Sequence, residues 1–244
     1  MKNIVTIIQC RLSSSRLENK IILPLNNSSV LDFLLKRLKK IKCEKIICAI
    51  ADEPGKSKII KIVKNAKVDY TTGSKENVLE RIYKTAKYFK AKTIIRVTSD
   101  CPLIDPDIIN YGLKLFLKEK YDYLSNNLNP SWPHGLDFEI FTFKCLERNY
   151  TKNKNNKNKK DAEHVTYSIR KNDKIRKKNI FCPIKLDRYY RWTLDTPKDY
   201  LFIKTLLKKS RDSIKGLNWK SILLFLKKNK YIQNINGSDH HFYF

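Results

Sequence analysis

The chain has 244 residues, 51 of them Lys or Arg and 24 Asp or Glu, for a formal charge of +27. With 41% apolar and 31% charged residues and only 6 Gly and 8 Pro, it lies outside the disordered, collagenous and low-complexity classes, and its length supports a full core without disulfide or zinc staples. The longest apolar runs, 4–8, 21–25, 46–51 and 222–226, fall far short of the roughly 20 residues of a membrane span, and the N-terminus lacks a signal-peptide pattern, so the expectation is a cytoplasmic chain with no membrane insertion.

A buried strand is predicted from Asn3 to Ile8, closing at Gln9 and entering a polar loop. Ser29 with Asp32 resembles a capping box and opens an amphipathic helix whose apolar positions are Val30, Leu31, Leu34, Leu35, Leu38 and Ile41. A second buried strand follows at Lys45–Ala51, a short helix at Lys58–Lys64, a third strand at Val68–Tyr70, a helix at Asn77–Phe89 and a fourth strand at Thr93–Val97. This alternation predicts an α/β, Rossmann-like fold with a parallel sheet covered on both faces.

After Asp105-Pro106, a helix is predicted to about Lys118, strands near Tyr121–Leu124 and Leu136–Phe141, and a helix to about Tyr150. The apolar-free run Lys152–Lys160 reads as a solvated loop. A helix at Asp161–Arg170, strands near Ile180–Ile184 and Arg191–Leu194, and helices at Pro197–Lys208 and Trp219–Lys228 complete the order. Thr196-Pro197-Lys198-Asp199 is a well-marked helix start, with a cap, a proline in the first turn and an acid three residues on.

Parallel sheets of this kind bind ligands beyond the carboxyl ends of their strands, which singles out Gln9–Lys20, Asp52, Thr71–Ser74 and Thr98–Pro102. The first loop, QCRLSSSRLENK, has three cations and three hydroxyls but no glycine. It suits a triphosphate or pyrophosphate gripped by guanidinium groups, with a solvated basic loop as the alternative. Asp100 follows strand four and Asp195 stands at a distant strand-to-helix junction. Converging, they could hold Mg²⁺; taken singly, Asp100 could close a turn and Asp195 could cap a helix.

Cys10, Cys43, Cys48, Cys101, Cys145 and Cys182 include no CxxC pair, which argues for reduced, buried thiols. The lysines are spread over every segment rather than gathered in one stripe, so specific nucleic-acid binding is not expected, although a basic nucleic-acid-binding protein without catalysis stays as an alternative. His240 and His241 lie in an aromatic tail read as packing against the body or a partner subunit.

The ordered blocks IIQCRLSSSRLENK, GSKENVLER, RVTSDCPLIDPDII, GLDFEIF, EHVTYSIR and RWTLDTPKDY resemble the SpsF-type cytidylyltransferase family of spore coat polysaccharide biosynthesis, related to acylneuraminate and 3-deoxy-manno-octulosonate cytidylyltransferases. The resemblance covers about residues 3–205. It implies a nucleotide-diphospho-sugar transferase fold with a mostly parallel mixed sheet, in one domain: a nucleotide-binding half at 1–105, an acceptor-binding half at 106–210, and a C-terminal helix and tail at 211–244. It further implies Mg²⁺-dependent transfer of CMP from CTP to an acidic sugar of nonulosonic type with release of pyrophosphate, and a homodimer as the candidate assembly.

By the same resemblance, Arg11, Arg16 and Lys20 would hold the triphosphate, with Lys20 neutralising the leaving pyrophosphate. Gln9, Ser13, Gly73, Ser74, Asn77 and Arg81 would surround the nucleoside, and Asp100 and Asp195 would share the metal. Asn126, Asp137, Glu139, Glu163, His164 and Arg191 would line the acceptor pocket, Arg191 being a natural partner for a sugar carboxylate. Glu18 stands where the family usually has proline, and His134 where it often has an acid. A histidine beside Glu163 also invites a general-base role for His164, the alternative being a hydrogen-bonded histidine of the interior. A nucleotide-sugar-dependent glycosyltransferase of the same fold is the other enzymatic alternative.

Overall fold

The structure is a computed structural model and describes residues 3–156, 159–186, 189–210 and 217–237. His240 and His241 lie outside these residues.

The first half of the chain follows the predicted alternation. Strand β1 (Ile4–Cys10) leads through a polar loop and a single 3₁₀ turn (Lys20–Ile22) to a small hairpin, β2 (Pro24–Leu25) and β3 (Ser28–Ser29). Asn26 and Asn27 both have positive φ at its tip, as a two-residue hairpin turn requires. Then come α1 (Val30–Leu38), β4 (Lys45–Ala51), α2 (Lys56–Asn65), β5 (Asp69–Gly73), α3 (Val78–Tyr88) and β6 (Thr93–Thr98). The Ser29 hydroxyl accepts from the Asp32 amide at 3.2 Å and caps α1, while Asn77 caps α3 by accepting from the Glu80 amide at 2.9 Å.

The second half contains α4 (Pro106–Glu119), β7 (Tyr123–Ser125), β8 (Glu139–Thr142), α5 (Phe143–Asn156), α6 (Lys159–His164), α7 (Tyr167–Lys171), β9 (Lys177–Asn179), α8 (Pro197–Ser210), α9 (Trp219–Lys228) and α10 (Lys230–Gln233). Seven strands form one sheet in the order β5-β4-β1-β6-β8-β7-β9. β5, β4, β1 and β6 are parallel, β8 runs antiparallel between β6 and β7, and β9 is parallel to β7.

Alternation along β1 sends Ile4 and Ile8 into an apolar cluster with α1, α2, α4, α8 and α9, and Val5 and Ile7 into a second cluster with α3, α5 and α7. Helices thus cover both faces, and the sheet is buried on each. The chain runs from β1 outward to β4 and β5 and then returns to place β6 on β1's other side. Strand order therefore reverses between β1 and β6, and the loops after these two strands open side by side at the reversal.

Several expectations need correction. The described residues of the run Lys152–Lys160 are helical, not a loop: α5 continues to Asn156 and α6 starts at Lys159. The helix expected over Asp161–Arg170 is broken at Val165, whose φ of 63° is left-handed. Asp161 secures the break by accepting from the Ser168 amide at 2.8 Å and from the Ser168 hydroxyl. The strand expected near Ile180–Ile184 is instead β9, just upstream. Beyond it the backbone bonds to the 126–138 loop, with the Trp132 indole donating to the Ile180 carbonyl at 2.9 Å and the Cys182 amide to the Ser131 hydroxyl at 2.9 Å. Arg191–Leu194 is no full strand either, holding one bridge between Arg191 and His134. All six cysteines are free thiols, Cys43 and Cys182 only half-buried.

Candidate active site

The loop after β1 folds around two anchors. Asn19, in the left-handed region at φ 55°, donates its amide to the Leu12 carbonyl at 3.1 Å and closes the loop just before Lys20. Glu53, nearly buried after β4, accepts from the Leu12 amide at 2.5 Å and the Ser13 amide at 3.3 Å. The loop after β6 ends at Asp100, whose carbonyl accepts from the Leu194 amide at 2.8 Å and the Thr193 hydroxyl at 3.2 Å. Those two bonds draw the 191–196 segment across the sheet end and bring Asp195 to Asp100.

Lys20 joins the two acids. Its ammonium lies 2.8 Å from Asp100 Oδ2 and 2.7 Å from Asp195 Oδ1, so the carboxylates, 95 positions apart in sequence, meet across one nitrogen. Burial works to lower the Lys20 pKa, but Asp100 and Asp195 outweigh it and hold it above its ordinary value. Burial likewise works to raise Asp100, and the charge and hydrogen bond of Lys20 overcome it and hold Asp100 at about 2. Arg16 and Arg191 each stand 3.3 Å from Asp195 Oδ2.

Lys20, Asp100, Asp195 and Arg16 lie on the wall of a cavity of about 1340 Å³. Of the residues predicted for the site, Arg11, Arg16, Lys20, Asp100, Asp195, Asp137, Glu139 and His164 line it. His164 is exposed, not an interior histidine, and Glu18 is exposed outside the lining.

Other expected ligands are committed elsewhere. Asn77 caps α3, and Asn126 bonds the Leu136 carbonyl and the Phe138 amide at 2.8 and 3.0 Å, bracing its loop. Arg81 is buried and donates to the Ser74 carbonyl, fixing the Gly73–Ser74 turn from beneath. Burial and the nearby Arg11 and Arg96 lower its pKa, against the pull of Cys10 and Glu53. Gln9 accepts from the Arg96 guanidinium at 2.6 and 3.1 Å. Ser13 has a buried hydroxyl without a partner among the described residues, and Glu163 is exposed.

Arg191 is the main departure. It is 3% exposed and grips Asp199, itself fully buried, through Nε at 2.8 Å and a second nitrogen at 2.9 Å. Asp199 also accepts from the Asp195 and Thr196 amides, each at 3.0 Å, while its own amide donates to the Thr196 hydroxyl at 3.2 Å, a reciprocal capping box. Arg191 therefore braces the segment carrying Asp195 and is outside the cavity lining. The cations of the second half that do line the cavity, among the described residues, are Lys160, Arg170, Lys171 and Lys185.

Sequence reasoning missed three residues. Glu53 offers no signal, being one acid in a polar loop. Arg96 does: a charge inside the apolar strand TIIRVT needs a buried partner, and it finds Glu139, which also accepts from the Tyr123 hydroxyl at 2.6 Å and from the Thr166 hydroxyl. Burial works to raise the Glu139 pKa, but Arg96 and these donors pull it below its ordinary value. Asp199 is legible as a capping acid but not as the partner of Arg191.

The family model described as cytidylyltransferase matches residues 5–228. The chain belongs to the cytidylyltransferase family. An uncharacterized protein of Methanocaldococcus jannaschii is 36% identical over 239 residues, spanning 96% of this chain and 95% of that protein. The spore coat polysaccharide biosynthesis protein SpsF of Bacillus subtilis is 28% identical over 223 residues, 86% of this chain and 88% of its own. Among solved structures, a cytidylyltransferase from Leptospira borgpetersenii superposes with a TM-score of 0.88 at 27% identity, covering 99% of both chains. The junction of Lys20, Asp100 and Asp195 lies at the sheet reversal, beyond the carboxyl ends of β1 and β6.

Proposed function

We propose that this chain transfers the cytidylyl group of CTP to an acidic sugar, releasing pyrophosphate, in the synthesis of a surface polysaccharide or glycan. The observation that carries the reading is the bridge of Lys20 to both Asp100 and Asp195 beside Arg11 and Arg16, at the mouth shared by β1 and β6. A cavity of about 1340 Å³ exceeds the roughly 300–1,000 Å³ of a single drug-sized ligand and supports two substrates side by side. Arg170, Lys171 and Lys185 support a negatively charged acceptor.

Arg11, Arg16 and Lys20 bind and orient the triphosphate, which lines up the α-phosphorus for in-line attack and lowers the cost of charge on the leaving group. An acceptor hydroxyl oxygen forms the new bond to the α-phosphorus as the bond to the bridging oxygen of the β-phosphate breaks. The electron pair and charge leave with pyrophosphate, beside Lys20.

The donor set also fits Mg²⁺: two carboxylates converge, and this ion commonly takes one or two carboxylates with phosphate oxygens and water. Held by Asp100 and Asp195, it would supply neutralisation of phosphate charge at the reacting centre.

The test is a pyrophosphate assay that crosses CTP, UTP, ATP and GTP with a panel of acidic and neutral sugars. Release is expected with CTP and an acidic sugar, abolished by Asp100→Ala and strongly reduced by Lys20→Ala. Normal turnover in both variants, or transfer from a ready-made sugar nucleotide without pyrophosphate, overturns the reading.

A further inference from the structure

Among the described residues four carboxylates line the cavity, and three of them are paired. Asp100 and Asp195 meet Lys20, and Asp195 also meets Arg16 and Arg191. Glu139 is occupied by Arg96, Tyr123 and Thr166.

Asp137 differs. Its Oδ2 accepts from the Gly135 amide at 2.9 Å and stands 3.9 Å from His134 Nε2, beyond hydrogen-bond reach, while its Oδ1 has no partner among the described residues. An unpartnered carboxylate oxygen on a cavity wall is a proton acceptor in waiting.

Its surroundings are rigid. Gly135 has φ +106°, and a Cβ there would come within 2.5 Å of the backbone at Trp192 and Thr193, so the turn carrying Asp137 is pressed onto the segment that leads to Asp195. The bridge between His134 and Arg191 and the amide of Trp192 donating to the His134 carbonyl at 2.6 Å fix the same register. His134 Nδ1 in turn meets the Tyr189 hydroxyl at 2.6 Å. Asp137 also lines the same cavity as Asp100 and Asp195.

We infer that Asp137 is the general base of the transfer, taking the proton of the acceptor's attacking hydroxyl on Oδ1 as its oxygen bonds to the α-phosphorus. The inference rests on the proposed cytidylyl transfer. The proton moves from hydroxyl to carboxylate, the Pα–O bond to pyrophosphate breaks, and the carboxyl returns its proton to water after product leaves. His134 acts as a positioning residue beside Asp137 through its contact with the Tyr189 hydroxyl.

The groups that act on Asp137 are His134 and the Gly135 amide on its own turn, Asp100 at the end of β6, and Arg170 on α7. Burial raises the Asp137 pKa and Asp100 adds to this, while His134, the Gly135 amide and Arg170 work to lower it, with a net rise above the ordinary carboxylate value. A carboxylate with raised proton affinity is a better base at neutral pH than an ordinary one.

The experiment is the pH dependence of kcat for pyrophosphate release in the unaltered chain, Asp137→Asn, Asp137→Ala and His134→Gln, with folding checked by thermal midpoint. The unaltered chain is expected to lose turnover toward acid with a midpoint above the ordinary carboxylate range. Asp137→Asn lowers kcat about 100-fold or more, leaves the KM for CTP within about threefold and abolishes that acid limb. Formate restores turnover to Asp137→Ala in proportion to its concentration. His134→Gln removes a group that lowers the Asp137 pKa, so the limb moves to higher pH.

Asp137→Asn that keeps kcat within about threefold, keeps the limb, or changes only the acceptor's KM overturns the inference alone. Failure of the unaltered chain to release pyrophosphate from CTP with any acidic sugar overturns the proposed function, and the inference with it.

Discussion

Replacing Asp199 by Asn tests whether Arg191 braces the site instead of binding a substrate. Asp199 is fully buried, Arg191 is 3% exposed, and the carboxylate also accepts from two backbone amides and from Asn236 at 2.9 Å. Burial works to raise the Asp199 pKa, but Arg191 and Asn236 overcome it and hold it below the ordinary value. Removing the carboxylate leaves the buried Arg191 with Asp195, 3.3 Å away, as its only carboxylate among the described residues, and breaking a buried pair costs about 3–5 kcal/mol. At roughly 2–4 °C per kcal/mol for a chain of this size, the thermal midpoint should fall by about 6–20 °C.

Urea unfolding by linear extrapolation reads the loss directly. A cycle with Arg191→Met, and with Asp199→Leu in place of Asn, should show the double variant more stable than the sum of the single losses implies, because both charges leave together. A loss under about 1 kcal/mol in Asp199→Asn would refute the reasoning and return Arg191 to the acceptor pocket.

Other consequences can be checked in parallel. Lys20→Met leaves Asp100 and Asp195 facing each other without their shared cation, so added Mg²⁺ should raise its thermal midpoint more than that of the unaltered chain; equal shifts would count against the convergence. Because Asp100 is held at about 2, below its unfolded value, its contribution to stability is complete above about pH 4 and disappears as the pH falls through 2. Acid unfolding of Lys20→Met followed by circular dichroism should show that dependence weakened. Gly135→Ala forces a methyl within 2.5 Å of backbone at a positive φ and should lose about 2–4 kcal/mol in urea unfolding.

The elements with the strongest periodicity were legible residue by residue. Lys45–Ala51 and Trp219–Lys228 stand at their predicted bounds, α1 starts at the cap read from Ser29, and α4 starts at the Asp105-Pro106 step. What failed was decided by tertiary partners. β9, with the sequence KKN, lacks any strand signal and exists because β7 offers it a parallel edge. Val165 breaks a helix-like pattern because Asp161 can cap the next turn across the kink.

At the site, Asp100 and Asp195 could be proposed to meet because one follows a strand and the other starts a helix, whereas Lys20, ten residues beyond the end of β1, was placed only by the family resemblance. The cost of burying Arg191 was invisible without Asp199 beside it, since a sequence does not say which of several acids a guanidinium will choose.

The central claim is that the Lys20, Asp100 and Asp195 junction transfers a cytidylyl group, and the fate of labelled phosphate in CTP tests it most directly. With an acidic sugar acceptor, label at the α-phosphate should appear in a new sugar nucleotide and label at the γ-phosphate in pyrophosphate, with both transfers lost in Asp100→Asn. Label that stays in CTP for every acceptor, or that moves equally well in Asp100→Asn, would contradict it.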